Sequence, residues 1–232
     1  MQHLITASLP LDLEQYSMVI DVRSPHEFAL DHIPGAINMP VLYDDDRKYI
    51  GTLYKDSPFE AKKQGAAMIA HNISKHIQEG LVDKDQDFSP LLYCWRGGMR
   101  SRSFAFIMRS IGWKPEVVDG GYQAFRRYVI QDLDTICQNI APNLQVISGL
   151  TGVGKTKLLH TAQREGKQVL DLEGLANHKG SLLGEDPAHP QPSQKAFESR
   201  VWQTRKKLDP TQPIYVESES NRIGCVHIPP TL

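Results

Sequence analysis

The 232 residues are 40% hydrophobic and 23% charged, enough apolar material to bury a core, which excludes a disordered or fibrous chain. Basic side chains number 26 and acidic ones 27, so bulk charge does not mark a general polyanion binder, and three cysteines with no C-x-x-C pair exclude both a disulfide framework and a zinc knuckle. No apolar run approaches the length of a membrane span, and the first ten residues lack the basic stretch and apolar core of a secretory signal, so a cytoplasmic protein with no membrane partner is expected.

An apolar run at 18–22, ending in Asp21-Val22-Arg23, reads as a strand. Ser24 then caps a helix with Pro25 at its first position and Glu27 three residues on. His32-Ile33-Pro34-Gly35-Ala36 is a turn before a short strand at 36–39, and Asp44-Asp45-Asp46 with Arg47 reads as a solvated, charged loop. From Ser57-Pro58 onward, Ala66, Ile69, Ala70, Ile73 and Ile77 keep helical spacing up to Gly80. A buried strand is expected at 90–93, then a Gly-rich loop, then a helix marked by Phe104, Ile107, Met108 and Ile111 that stops at Gly112. A strand at 116–118, a turn at Gly120-Gly121 and a helix over 122–137 complete the first part. A second part adds a strand at 144–148, a Gly-rich loop, a helix over 155–165, a strand at 168–172, a helix over 193–208 and a strand at 214–217.

This alternation predicts an α/β protein with mostly parallel sheets covered on both faces. The expected division is a first domain over 1–138, a linker at 139–144 around Pro142, and a second domain over 145–232. Nucleotide-binding α/β domains run to roughly 100 to 200 residues, so the second reads as an incomplete P-loop NTPase-like domain with a free sheet edge and bare apolar surface.

Cys94-Trp95-Arg96-Gly97-Gly98-Met99-Arg100-Ser101 lies between an apolar strand and a helix. A thiol there faces the helix's unpaired amides and its positive dipole end, which lower a thiol pKa and attract anions. Gly97 and Gly98 allow the backbone to turn several amides inward, while Arg96, Arg100 and Arg102 add positive charge. Such a cradle suits a cysteine carrying a charged persulfide, perselenide or phosphate. Cys137 and Cys225 have no such setting and read as ordinary thiols.

Gly149-Leu150-Thr151-Gly152-Val153-Gly154-Lys155-Thr156 fits G-x-x-x-x-G-K-[ST] in full, after a strand and at the start of a helix, where composition alone predicts about 0.01 matches. In that motif, loop amides wrap a di- or triphosphate around Gly149, Thr151, Gly152 and Gly154, Lys155 reaches its terminal oxygens, and Thr156 can ligate Mg²⁺. Glu217 and Glu219 are candidate partner carboxylates for the metal, with Asp171 and Glu173 as rivals. The stretch from Asp171 to Ser181 is dense in polar side chains, among them His178, and no histidine set shows metal-ligand spacing.

Asp21-Val22-Arg23-Ser24-Pro25-His26-Glu27-Phe28, then His32-Ile33-Pro34-Gly35-Ala36-Ile37-Asn38, the Cys94 loop and Val118-Asp119-Gly120-Gly121-Tyr122 resemble the ordered landmarks of a rhodanese domain. That resemblance implies a rhodanese-like parallel-sheet fold, with Cys94 accepting a sulfane sulfur or related chalcogen. Five residues separate Cys94 from Arg100 where four is usual in sulfurtransferases, a spacing shared with cysteine phosphatases; Tyr93 stands where those phosphatases usually carry histidine. With the phosphate loop and Asp171-Leu172-Glu173-Gly174-Leu175-Ala176-Asn177-His178-Lys179-Gly180-Ser181 downstream, the whole chain resembles the tRNA 2-selenouridine synthase family. The resemblance implies a transferase that converts wobble 2-thiouridine in tRNA to 2-selenouridine with selenophosphate, through an S-geranyl intermediate made from geranyl diphosphate. It further implies that Cys94 carries selenium as an S-selanyl intermediate, that Arg96 and Arg100 steady that anionic adduct, and that residues 149–156 hold a phosphate or diphosphate donor. Members of that family continue beyond the equivalent of Leu232, so a C-terminally truncated form is expected. A stand-alone rhodanese-type sulfurtransferase and an inactive binding module are the competing readings, with a phosphatase more distant.

Overall fold

A computed structural model describes residues 4–150, 153–179, 184, 189–218, 220–230 and 232. The chain divides into two compact units, one ending at Tyr128 and the other starting at Val129.

The first unit is built on five strands: β1 (Thr6–Ala7), β2 (Met18–Asp21), β3 (Ala36–Asn38), β4 (Pro90–Tyr93) and β5 (Glu116–Val118). They lie in the order β1-β5-β4-β2-β3 and every pair is parallel, with Asp21 opposite Tyr93 and Ile20 opposite Leu92. Parallel strands need helical crossovers that cover the sheet, and all four residues of β4 are buried accordingly. The crossovers are α1 (Pro25–Leu30), α2 (Asp44–Asp56), α3 (Pro58–Gly80) and α4 (Met99–Ile111), and α5 (Gly121–Ile140) follows β5. The core gathers Ile20, Val22, Ile73, Leu81, Leu92, Phe104, Met108 and Val117. α4 stops at Gly112, whose φ of +111° admits the left-handed cap that a side chain would resist.

The stretch from Asp44 to Arg47, expected as a solvated loop, instead opens α2. Three carboxylates stand in its first turn, where the positive end of the helix dipole favours them, and Asp46 accepts the Tyr43 N–H at 3.0 Å. None of the α2 residues is fully buried, and its charged opening turn is what reads as a loop.

The second unit holds a three-stranded parallel sheet in the order β6-β8-β7, from β6 (Leu144–Ile147), β7 (Gln168–Leu170) and β8 (Ile214–Glu217). Around it run α6 (Lys155–Arg164), the short α7 (Leu172–Leu175) and α8 (Gln194–Lys206). An antiparallel hairpin of β9 (Arg222–Ile223) and β10 (Val226–His227) follows. β6 is an edge strand and Val146 on it is 60% exposed. The division between the units falls within α5 in the sequence, ahead of the expected linker, whose residues Ala141–Asn143 form a 3₁₀ turn. The later part of α5 packs on α8: Trp202 Nε1 donates to Asp132 at 2.7 Å, and Arg205 donates to the Ile136 carbonyl at 3.2 Å.

Candidate functional site

Cys94 follows β4 and is buried, at the head of α4. The loop between them is held by its carbonyls. The Cys94 carbonyl accepts Tyr122 N–H at 2.9 Å, the Trp95 carbonyl accepts Gln123 N–H at 3.0 Å, and the Gly97 carbonyl accepts Arg102 Nε at 3.0 Å. With those carbonyls engaged from outside, amides turn toward the sulfur: Gly98 N–H donates to Sγ at 3.1 Å, and the Arg96 and Ser101 amides add to the same field. Gly121 (φ +60°) makes this closure possible, because a Cβ there would press on the Cys94 carbonyl and the Gly97 and Arg96 amides at once.

Burial pushes the Cys94 thiol up; hydrogen bonds from the Ser101 hydroxyl and amide, the charge of Arg100 and the Arg96 amide outweigh it and hold the thiol below its ordinary value. The Ser101 hydroxyl lies 3.3 Å from Sγ and is completely buried. The three arginines divide their work. Arg100 pairs with Glu27 at 3.3 Å at the edge of the cradle. The exposed Arg96 side chain donates to Gln123 Oε1 at 3.2 Å, so Arg96 acts on the sulfur through its backbone. Arg102 shapes the loop through Gly97.

Ser101 is the residue the sequence reading passed over. Its signal is positional: a hydroxyl in the first turn of a helix whose N-terminus faces the cysteine. Glu27, read there only as a cap, also ties Arg100 to α1 and pairs with Arg47 at 2.8 Å.

In the second unit the phosphate loop joins β6 to α6. Thr151 and Gly152 lie outside the described residues. Gly154 caps α6 with φ +90°, a left-handed conformation that glycine admits freely, and Lys155 Nζ reaches back to the Gly149 carbonyl at 2.9 Å. The Thr156 hydroxyl donates to Glu173 Oε2 at 3.0 Å. Glu217, at the end of β8, accepts the Glu173 N–H at 2.8 Å through Oε1, and its buried Oε2 has no hydrogen-bond partner among the described residues. Burial, with Asp171 and Glu173 nearby, raises the Glu217 carboxyl to about 7.

Of the four candidate carboxylates, Glu173 touches Thr156, Glu217 stands behind Glu173, and Asp171 caps α7 while accepting His160 Nε2 at 3.0 Å; Glu219 lies outside the described residues. Of the polar stretch from Asp171 to Ser181, Gly180 and Ser181 also lie outside them. Thr156, His160, Asp171, Glu173, Asn177 and His178 line a cavity of about 280 Å³. His178 is buried, and its Nδ1 has no hydrogen-bond partner among the described residues.

Residues 7–128 match the family described as Rhodanese-like domain, and residues 142–232 match the tRNA 2-selenouridine synthase AAA domain. A protein of Nitrosomonas europaea named tRNA 2-selenouridine synthase is 38% identical over 91% of this chain and 55% of its own length. One of the same name from Nitrosomonas eutropha is 36% identical over 97% of this chain and 56% of its own. The chain thus spans a little over half the length of these curated relatives. Among solved structures, a rhodanese-related protein from Thermoplasma volcanium aligns with 53% of this chain and 92% of its own, at 18% identity and a TM-score of 0.35.

Proposed function

This chain belongs to the rhodanese-like domain family and carries a tRNA 2-selenouridine synthase AAA domain behind it, and from that premise we propose that it serves the selenation of 2-thiouridine in tRNA. The observation that carries the reading is the Cys94 cradle: a buried thiol, lowered in pKa, fed by the Gly98 amide and the Ser101 hydroxyl beside Arg100. These donors hold negative charge on a chalcogen at the cysteine, and preorganised donors in a water-poor pocket are the protein's main means of stabilising such charge.

In this proposal the second unit supplies the leaving group. The thiouridine sulfur attacks C1 of geranyl diphosphate, the C–O bond to diphosphate breaks, the N3 proton goes to solvent, and Lys155 with the loop amides receives the departing diphosphate. The selenium of selenophosphate then adds at the base carbon, and geranyl thiolate, a far better leaving group than sulfide, leaves and takes a proton from solvent. Water cleaves the Se–P bond to release inorganic phosphate and the selenouridine. The wobble base is open to both steps because anticodon-loop bases unstack readily. The reaction belongs in the cytoplasm with its tRNA.

A divalent cation such as Mg²⁺ fits beside the phosphate loop, since a hydroxyl and a carboxylate oxygen face each other there and a second carboxylate has an unsatisfied oxygen behind them. Thr156 and Glu173 would hold it, and its chemistry would be to neutralise diphosphate charge. Among the described residues no three His, Cys, Asp or Glu side chains form a metal set; a cation shared with a phosphate needs none.

The test incubates the chain with selenophosphate, geranyl diphosphate and 2-thiouridine-containing tRNA, digests the tRNA and weighs its nucleosides, with Cys94→Ala and Lys155→Ala alongside. Selenouridine is expected from the wild type, and neither variant should complete it. Unchanged thiouridine from the wild type, while a longer relative run in parallel is active, overturns the proposal for this chain.

A further inference from the structure

We propose that Glu27 is a positioning residue that holds the Arg100 guanidinium at the mouth of the Cys94 cradle, where it draws anionic reagents onto the sulfur. The inference rests on the reading of Cys94 as the thiol that holds the charged chalcogen.

The geometry begins in the sheet. β2 and β4 are adjacent and parallel, with Asp21 opposite Tyr93, so the chain leaving β2 and the chain leaving β4 emerge side by side at the same edge. The first leads into α1 and Glu27, the second into Cys94. Glu27 is 11% exposed and fixed in place, because its Oε2 accepts the Ser24 N–H at 3.2 Å as part of the α1 cap. The same oxygen accepts Arg100 Nη1 at 3.3 Å and forms an ion pair with Arg47 Nη1 at 2.8 Å.

Arg100 sits in the first turn of α4 on a long side chain that would otherwise sample many rotamers. Bound to a carboxylate that a helix cap already holds, it loses that freedom before any reagent arrives. Two guanidinium groups share the Glu27 carboxylate, so that one carboxylate does not neutralise both. Glu27 therefore fixes Arg100 without cancelling it. An anion entering the cradle meets a charge already aimed at it, in a pocket where burial strengthens the attraction.

The experiment compares two alkylating reagents of similar size, anionic iodoacetate and neutral iodoacetamide, on the full chain. Modification is read by mass spectrometry on the Cys94 peptide, so that Cys137 and the exposed Cys225 do not enter. The ratio of the two rates reports how well the cradle recruits an anion, and the neutral reagent controls for folding and thiol ionisation. Glu27→Gln is expected to lower the ratio about three- to tenfold, toward the value of Arg100→Ala, and to leave it unmoved when added to Arg100→Ala. An unchanged ratio in Glu27→Gln overturns the proposal. A raised ratio also overturns it, because Glu27 would then be only a neutralising charge, and so does an equal fall in the Arg100→Ala background. Should Glu27→Gln fail to fold by circular dichroism, Glu27→Asp takes its place: its carboxylate is one methylene short of Arg100, so the ratio should fall partway, and an unchanged ratio sinks the idea. Neither tRNA nor selenium enters this assay, so its failure and failure of the selenation reaction are separate results.

Discussion

The Ser101 hydroxyl donates to the Cys94 sulfur across 3.3 Å while both side chains are buried, so the thiolate has a neutral, fixed donor besides the arginine charge near it. A hydrogen bond to a charged group contributes about 1.5 to 3 kcal/mol, roughly a tenfold or larger effect on the thiolate population. Ser101→Ala removes a donor from the charged form, so the thiol should ionise at higher pH than in the wild type. Alkylation of Cys94 by iodoacetamide at pH 7 should slow by about tenfold, and the pH midpoint of that reaction should move upward. Ser101→Thr, which keeps the hydroxyl, should recover most of the rate; equal loss in both variants would place the effect in packing.

Gly121 should be intolerant of any side chain. Its φ of +60° is strained for other residues, and a Cβ would collide with the Cys94 carbonyl and the Gly97 amide, both backbone atoms that cannot swing away. Gly121→Ala should therefore destabilise the first unit by about 2 to 4 kcal/mol from strain and overpacking together. Urea unfolding followed by tryptophan fluorescence measures this, and a change below 1 kcal/mol would mean that the loop can shift without penalty.

Arg23 and Asp21 form a buried pair, with Arg23 Nε within 3.0 Å of both Asp21 carboxylate oxygens, its Nη2 on the Asp31 carbonyl at 2.7 Å, and its guanidinium 3.9 Å from the centre of the Tyr122 ring. Arg23→Ala strands the Asp21 carboxylate without its partner, which typically costs about 3 to 5 kcal/mol. The variant should be largely unfolded or strongly destabilised in a thermal melt, while Arg96→Ala on the exposed rim should melt within a few degrees of the wild type.

These contacts explain what could be read from residues alone. Asp21-Val22-Arg23 and Val118-Asp119-Gly120-Gly121-Tyr122 are far apart in sequence, yet Arg23 lies over the Tyr122 ring and Tyr122 Oη donates to Asp31 at 2.7 Å, so the landmarks of the first unit brace one another around the cysteine loop. The long elements were legible because their apolar residues recur at helical spacing, as from Ala66 to Ile77, or form a run short enough for a buried strand, as at Pro90–Tyr93. α2 was not, since it opens on a run of charged residues and none of its side chains is fully buried, and β1 has too few residues for a period to show. The β9–β10 hairpin depends on Gln191, which donates to the Ala176 and Ile223 carbonyls and accepts from Cys225 N–H. Polar contacts of that kind leave no periodic trace. In the cradle the cysteine and glycines were legible from backbone chemistry, whereas the roles of Ser101 and Glu27 depend on which of several polar side chains the fold brings to the sulfur and to Arg100.

Glu217 gives the second unit a pH dependence of definite sign. Burial, followed by the negative charges of Asp171 and Glu173, raises its carboxyl from 4.5 to about 7 in the folded chain, against partial relief from the Glu173 and Glu217 amides. The folded state therefore binds the proton more tightly than the unfolded one. Its contribution is fully present below pH 4.5 and is lost as pH rises to about 7, beyond which the slope vanishes. The loss amounts to roughly 3 kcal/mol across that window. Glu217→Gln keeps an acceptor for the Glu173 amide and cannot ionise. In buffer with chelator, the variant should be more stable than the wild type at pH 8, and the difference should narrow as the pH falls toward 5. Denaturant unfolding at a series of pH values, followed through the helical signal of the second unit, measures the two curves; parallel curves from pH 5 to 8 would show that Glu217 titrates alike in the folded and unfolded chain.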